Sequence, residues 1–502
     1  MHNTGNISVE HVVRGGLWLY GVTVVQSITG SLYWLIISAI GGPSVLGYTN
    51  AIVSLSVLVT SLLSLGVDFS VQRFIGKSLG RNDRESVQSY FWTSAIIFLI
   101  THIAASATLL ALGLAGLSLG NITSRMLILT SFLLLLNYSL IFHGAFIAFI
   151  KTNLLLLSAI IGGFLRLVVG VALVIYGWGW IGATLGYICP PLVLITAGIF
   201  FAVKEIGTKI LFSLEKAREV LVAGFAIWFP KAIFIVGQWS SVVAVFGFLG
   251  AAETGRYYIA FALSSIVLMA SISMVRLLLP VLSSMADGRK RMGWKILKLS
   301  LAVSTPIVFA LLAYPTVPLS ILGKEYVLAS NILRILVIAT IPLAITNTVV
   351  NLVFSYGMYV EALKIGLYQN IPRLILYIIL VKAMGGTGVA IAYLIGSIIG
   401  LLGSLKIAKN VGFRVIWGKI LRIIMIPLAI SVAAYILPSS LWPLMISAII
   451  LGSIVAYTKL NVISRSEFNE LITALTPKVL SSKLKPVINK IIDKLYGENK
   501  QK

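Results

Sequence analysis

One cysteine, four histidines and fifteen acidic residues are all that a chain of 502 residues holds of these types. Cys189 stands alone in an apolar stretch, so no internal disulfide can form, and without a histidine cluster beside it there is no metal site. There is no glycine-rich loop ending in Lys-Ser/Thr, which excludes an ATP-hydrolysing phosphate loop and leaves no cofactor motif. Charged residues of both signs make up only 11% of the chain, against roughly 25% in a soluble domain. What fills the chain instead is apolar: 59% of the residues are hydrophobic and the mean hydropathy is +1.02. These values predict an all-α polytopic membrane protein.

A helix needs about 20 apolar residues to cross a bilayer. Fourteen such windows are readable, roughly 16–40, 45–69, 88–113, 126–150, 153–176, 179–202, 220–248, 256–281, 297–320, 328–354, 364–383, 387–406, 418–437 and 441–459. The first ten residues are polar without a signal-peptide pattern, so the first window is expected to be retained. Basic residues crowd one set of loops, at Arg73 to Arg84, Lys204 to Arg218, Arg289 to Lys298 and Lys406 to Arg414. The alternate loops hold only Arg125, Arg256, Lys324 and Lys382. The positive-inside rule then puts both termini in the cytoplasm of a cell-membrane protein. The same asymmetry accounts for most of the +24 net charge without a nucleic-acid partner.

The outer loops are very short, such as Trp178 to Gly179, so binding must happen within the bundle or at the inner face. No pair of carboxylates or histidine cluster lies in them, as a membrane glycosyltransferase or polymerase would need. The chain also repeats itself. FLRLVV around Arg166 is matched by IPRLIL around Arg373, GATLGY from Gly182 by GVAIAY from Gly388, and Gly42 and Gly47 by Gly250 and Gly255. The offsets are 207, 206 and 208. Six crossings return a chain to its starting side, so the repeats run parallel, as in transporters whose halves are related by an axis along the membrane normal. The expected divisions are a first lobe at 1–203, a cytoplasmic linker at 204–219, a second lobe at 220–408, two further spans at 409–460 and a tail at 461–502. In that tail, Leu480, Leu484, Val487, Ile491, Ile492 and Leu495 recur at helical spacing among lysines. It reads either as a helix lying on an anionic inner leaflet or as a solubilising extension.

The basic residues inside predicted spans include Arg166, Lys231, Arg276, Arg334 and Arg373, against one acid, Asp68. Ions at membrane depth are costly and usually face a wet cavity. The excess therefore predicts a positive cavity suited to phosphate or carboxylate, for which arginine offers a planar fork and lysine a point charge. Arg276 and Arg334, nearer the span ends, could equally snorkel to the headgroups. Arg166 and Arg373 could instead bond helix carbonyls or a neighbouring Asn or Tyr. Lys231 follows Pro230, which kinks its span and marks either a moving, binding helix or a structural bend with an incidental lysine. His143 stands alone in span 4 and reads as a packed or hydrogen-bonded residue.

Between Ile36 and Asp83 the chain contains ISAIGGPSVLGYTNAIVSL and then SLGVDFSVQRFIGKSLGRND, and the second repeat supplies FGFLGAAETGRYYIA and ILGKEYVLASNILRIL. These segments, in this order, resemble the polysaccharide flippases of the multidrug/oligosaccharidyl-lipid/polysaccharide exporter superfamily over nearly the whole chain. The resemblance implies two six-helix lobes around a cavity that opens alternately to each face, and a polyprenyl-phosphate- or pyrophosphate-linked glycan as cargo. With such a cargo, the intramembrane charges would place Arg166 and Arg373 at the phosphate groups, with Lys231 and Arg276 helping at the inner side. Membrane lipids and glycan-assembly enzymes would be the partners. Two departures stand out. Relatives often carry an acid in span 7 near GQWSS, and drug-exporting cousins carry one in span 1, yet Gly237 to Ser241 and Leu17 to Ile40 contain none. A multidrug exporter, a membrane glycosyltransferase or polymerase, and a scaffold are the rival readings.

Overall fold

The structure is a computed structural model that describes residues 9–118, 120–276, 288–436 and 441–469. In chain order the helices are α1 (Val9–Leu63), α2 (Val67–Gly80), α3 (Arg84–Leu114), α4 (Ser124–Leu136), α5 (Ser139–Ala148), α6 (Thr152–Leu173), α7 (Gly179–Phe201) and α8 (Leu214–Leu249). They continue as α9 (Ala251–Arg276), α10 (Arg289–Ala313), α11 (Thr316–Leu322), α12 (Ser330–Ser355), α13 (Tyr359–Val411), α14 (Trp417–Tyr435) and α15 (Trp442–Lys459). No strand occurs among the described residues. The expected amphipathic tail from Thr476 lies outside them.

Nine continuous helical stretches among the described residues are long and apolar enough to cross a membrane. Three run 49, 55 and 53 residues, more than twice what one crossing needs. Each is broken where glycine leaves the helical backbone: at Gly42 in α1, at Gly177 between α6 and α7, and at Gly385 in α13. These three stretches therefore make two crossings each. With α9 and α14, which fall on the remaining predicted windows, fourteen crossings result. The chain is a multi-pass, all-α membrane protein.

The chain packs as two compact units. The first comprises Met1–Ile259, Ser320–Leu328 and Arg373–Ala392. In it α6 and α7 run antiparallel at close range, with Gly162 against Pro190 and Gly170 against Gly186. The first half of α1 lies along the same pair, Thr29 on Gly163 and Tyr33 on Gly170, and the Tyr33 hydroxyl donates to the Ala183 carbonyl. Small residues permit this approach without leaving polar backbone exposed to lipid. The linker after α7 is tied down by Trp92 Nε1 donating to the Gly207 carbonyl at 3.2 Å and by Tyr90 donating to Glu219.

The repeat seen in the sequence recurs in the backbone of this unit. Gly42 has φ 70° and ψ −178°, and its counterpart Gly250 has φ 80° and ψ −171°, a region that is essentially glycine-only. A Cβ on Gly47 would overlap the Ala251 carbonyl oxygen, and one on Gly255 would overlap that of Pro43. Since 43 and 251 are themselves equivalent at the offset of 208, the two contacts are one contact seen twice. Reciprocal pairing of this kind is what a two-fold axis produces.

The second unit comprises Ala260–Leu319, Ala329–Pro372 and Tyr393–Lys502. Its helices α10, α14 and α15 are joined by a buried network in which Tyr457 donates to the Ile423 carbonyl at 2.6 Å and lies 3.0 Å from the Thr305 hydroxyl. Below it Lys298 pairs with Glu467 at 2.5 Å. Ser464 and Glu467 bond each other's backbone N–H, at 2.9 and 3.4 Å, so they form a capping box. Packing thus groups α8 with the first unit, although the sequence repeat begins a second lobe there.

Candidate anion-binding cavity

Arg166 is carried by α6 on the face that also bears Leu155, Ala159 and Gly163, spaced at helical intervals. Gln26 and Thr29 stand one turn apart on α1, and Tyr187, Pro190 and Leu194 share a face of α7. With Asn137 and with His143 of α5, these faces enclose a cavity of about 410 Å³ inside the first unit. The close glycine contacts described above hold the backbones together, while Arg166 and its neighbours leave the void between them.

The guanidinium is held from two sides. Nη2 donates to the Thr29 hydroxyl at 3.0 Å, and that hydroxyl in turn donates to the Val25 carbonyl at 2.8 Å. The guanidinium carbon lies 5.4 Å from the Tyr33 ring centroid and 5.9 Å from that of Tyr187. Such cation–π contacts contribute about 0.5–2 kcal/mol each. Nε is buried and has no hydrogen-bond partner. Among the described residues no acidic side chain lines the cavity. The site therefore presents a fixed positive charge, an unused N–H and several neutral hydrogen-bonding groups, which suits an anion and not a cation.

The other residues singled out in the sequence are placed differently. Arg373 is 1% exposed, in the part of α13 that belongs to the first unit, and it does not line this cavity. One turn on, Tyr377 donates to the Gly237 carbonyl of α8 at 3.0 Å. Lys231, after the Pro230 bend, sets its Nζ 3.6 Å from the Phe69 ring centroid, and its charge acts on the Asp68 carboxylate. Arg334 bonds the Leu312 carbonyl at 3.2 Å and the Asn331 side chain at 3.1 Å. Arg276 closes α9, and its side chain lies outside the described residues. Of the three predicted ligands whose side chains are described, Arg166 lines the cavity and Arg373 and Lys231 do not.

Sequence reading missed His143, which lines the same cavity as Arg166 instead of standing isolated. It also missed Gln26, Thr29 and Asn137, whose Nδ2 donates to Ser56 at 3.0 Å and Thr60 at 2.6 Å. The available signal was a row of polar residues in otherwise apolar spans. Only the fold shows that these rows face one another.

No protein-family model and no curated protein matches the chain. Solved structures do. A structure of the lipid II flippase MurJ in an inward closed conformation superposes with a TM-score of 0.69 at 17% identity, over 89% of this chain and all of that one. An inward-facing multidrug resistance MATE family transporter of the MOP superfamily gives 0.62 at 14% identity, over 77% of this chain and 94% of that one. A MOP superfamily transporter from Pyrococcus furiosus Vc1 (DSM3638), described as having a binding pocket of reverse polarity, gives 0.55 at 16% identity, over 80% and 95%. The chain therefore shares the all-helical fold of these solved structures.

Proposed function

We propose that the chain is a membrane transporter, not an enzyme, and that it moves a polyprenyl-phosphate- or pyrophosphate-linked glycan from the inner to the outer leaflet by alternating access. The observation that carries this reading is the acid-free cavity built around Arg166. A headgroup with phosphate oxygens matches a guanidinium fork with an unused N–H, and the flippase with the same fold is named for a lipid cargo. Arg373 and Lys231 would act elsewhere along the path, with Arg276 at the inner side. The termini and basic loops would face the cytoplasm, the two repeats would form the two lobes, and glycan-assembly enzymes would deliver the cargo.

Multidrug transporters share the fold. A cation-selective drug site calls for buried acids, and the cavity described here has none. Moving a negative headgroup outward is favoured by an inside-negative potential, at about 2.3 kcal/mol per charge per 100 mV. The test is reconstitution with a fluorescent lipid-linked oligosaccharide, scoring how much becomes accessible to an added glycosidase under an imposed potential. Accessibility that grows with an inside-negative potential is the expected result. Transport of cationic drugs with no movement of any such lipid would replace this reading with the drug-exporter one.

A further inference from the structure

Histidine occurs four times in the chain, and one of the four, His143, lines the cavity that holds Arg166. We propose that this cavity is a proton-linked oxyanion site, in which Arg166 supplies a fixed positive charge and His143 a second one that comes and goes with pH. The inference shares with the proposed function the idea that Arg166 binds an anion. It does not depend on a glycan cargo.

Three observations carry it. The buried Nε of Arg166 has no acceptor, so the guanidinium has donating capacity that the protein does not use. The remaining polar lining includes Ser158 and Gln26, a hydroxyl and an amide that can donate to the oxygens of a tetrahedral anion, while Thr29 holds Arg166 in place. The volume of about 410 Å³ gives room for on the order of a dozen waters, enough for a phosphate-sized or diphosphate-sized group with part of its hydration.

The proton belongs to His143 because of what surrounds it. Helix α5 packs against α2, α3, α6 and α7. On α2 the charged side chains are Asp68, Arg73 and Lys77, and the Asp68 carboxylate acts with Lys231. On α3 they are Arg84 and Glu85, with Tyr90 and His102 also titratable; on α7 the titratable groups are Tyr187 and Cys189. On α6 the charged group is Arg166. Of all these, Arg166 and Tyr187 share the cavity with His143. No carboxylate is among the described residues on its wall, and His143 is the group there whose charge can change with pH. A protonated imidazolium adds donors and charge for an anion, so affinity falls as pH rises through the histidine range. By reciprocity, a bound anion strengthens proton binding to the same extent. An anion and a proton would then enter the cavity together, coupling transport to protons without the span 1 carboxylate of drug-exporting cousins.

Sulfate is the probe, because its own charge does not change near neutral pH. Its binding to the purified full chain in detergent is measured by calorimetry at about pH 5.5 and about pH 8, on either side of the ordinary histidine value, in buffers of different ionisation enthalpy. The expected result is an affinity about tenfold or more tighter in acid, as one linked charge gives, with net proton uptake on binding at the higher pH. H143Q should bind weakly at both values with no proton uptake. H143R should bind tightly at both, which separates loss of charge from loss of fold, and R166Q should abolish binding while keeping the melting temperature. Competition by a short prenyl diphosphate would show a lipid headgroup as the natural occupant, and indifference to it a free oxyanion; either supports the site. Proton uptake that survives in H143Q, or sulfate affinity unchanged in R166Q, overturns it. Sulfate linkage without glycolipid flipping keeps this site and removes the cargo, and flipping without the linkage does the reverse.

Discussion

Adding one methyl group at Gly47 tests the packing that holds the first unit together. A Cβ there would overlap the Ala251 carbonyl oxygen, which is backbone and cannot rotate aside. The helices must separate, at a penalty of about 1–3 kcal/mol. Against this stands the better helix propensity of alanine, about 1 kcal/mol. Gly76, in the interior of α2, has nothing within 4 Å of such a methyl, so Gly76→Ala keeps only the gain. The two substitutions should therefore differ by about 1–3 kcal/mol in opposite directions around the native protein. Gly255→Ala should match Gly47→Ala, because it makes the reciprocal contact with Pro43. The double variant should lose less than the sum, since the first methyl already parts the helices that the second would have strained. Melting temperature in detergent, read by tryptophan fluorescence, ranks the four proteins. A Gly47→Ala protein as stable as Gly76→Ala would refute the crossing described here.

Other consequences follow from single contacts. Burial pushes Glu467 up, but Lys298 and the Ser464 N–H and hydroxyl outweigh it and hold the carboxyl below the usual range. Its contribution should be full above the ordinary carboxylate range and lost as pH falls through the lowered value. The melting difference between native protein and Glu467→Gln should therefore shrink at acid pH, and a constant difference would remove the pair from the account. Tyr457→Phe, which deletes the donor to the Ile423 carbonyl, should lower stability by about 1–3 kcal/mol in the same assay. Arg166→Lys keeps the charge but loses the planar fork over Tyr33 and Tyr187, so sulfate binding should weaken about tenfold or more without a change in fold. Equal binding by lysine would mean that only charge matters there.

The sequence made the spans legible because each is long and apolar, and it made the repeat legible because Gly42, Gly47, Gly250 and Gly255 must be glycine for backbone reasons. It also picked out Arg166, since an ion at membrane depth is conspicuous among leucines. It could not show which cations share a space. Arg166 and Arg373 match at an offset of 207, yet one lines a cavity and the other is fully buried elsewhere. Helix phase alone does not say which neighbour a face meets. His143 was passed over for the same reason, because its companions come from α1, α6 and α7 and stand far from it in the chain. Lys231 read in sequence as part of a binding helix or as incidental to a bend, while in space it meets Phe69 and Asp68, more than 160 residues earlier.

The most direct measurement compares the native chain with Arg166→Ala plus Arg373→Ala in proteoliposomes loaded with a fluorescent lipid-linked oligosaccharide, reading glycosidase access over time. The account predicts that the native chain exposes the lipid and the double variant does not, although both insert into the membrane. Flipping that survives the loss of both arginines would contradict it.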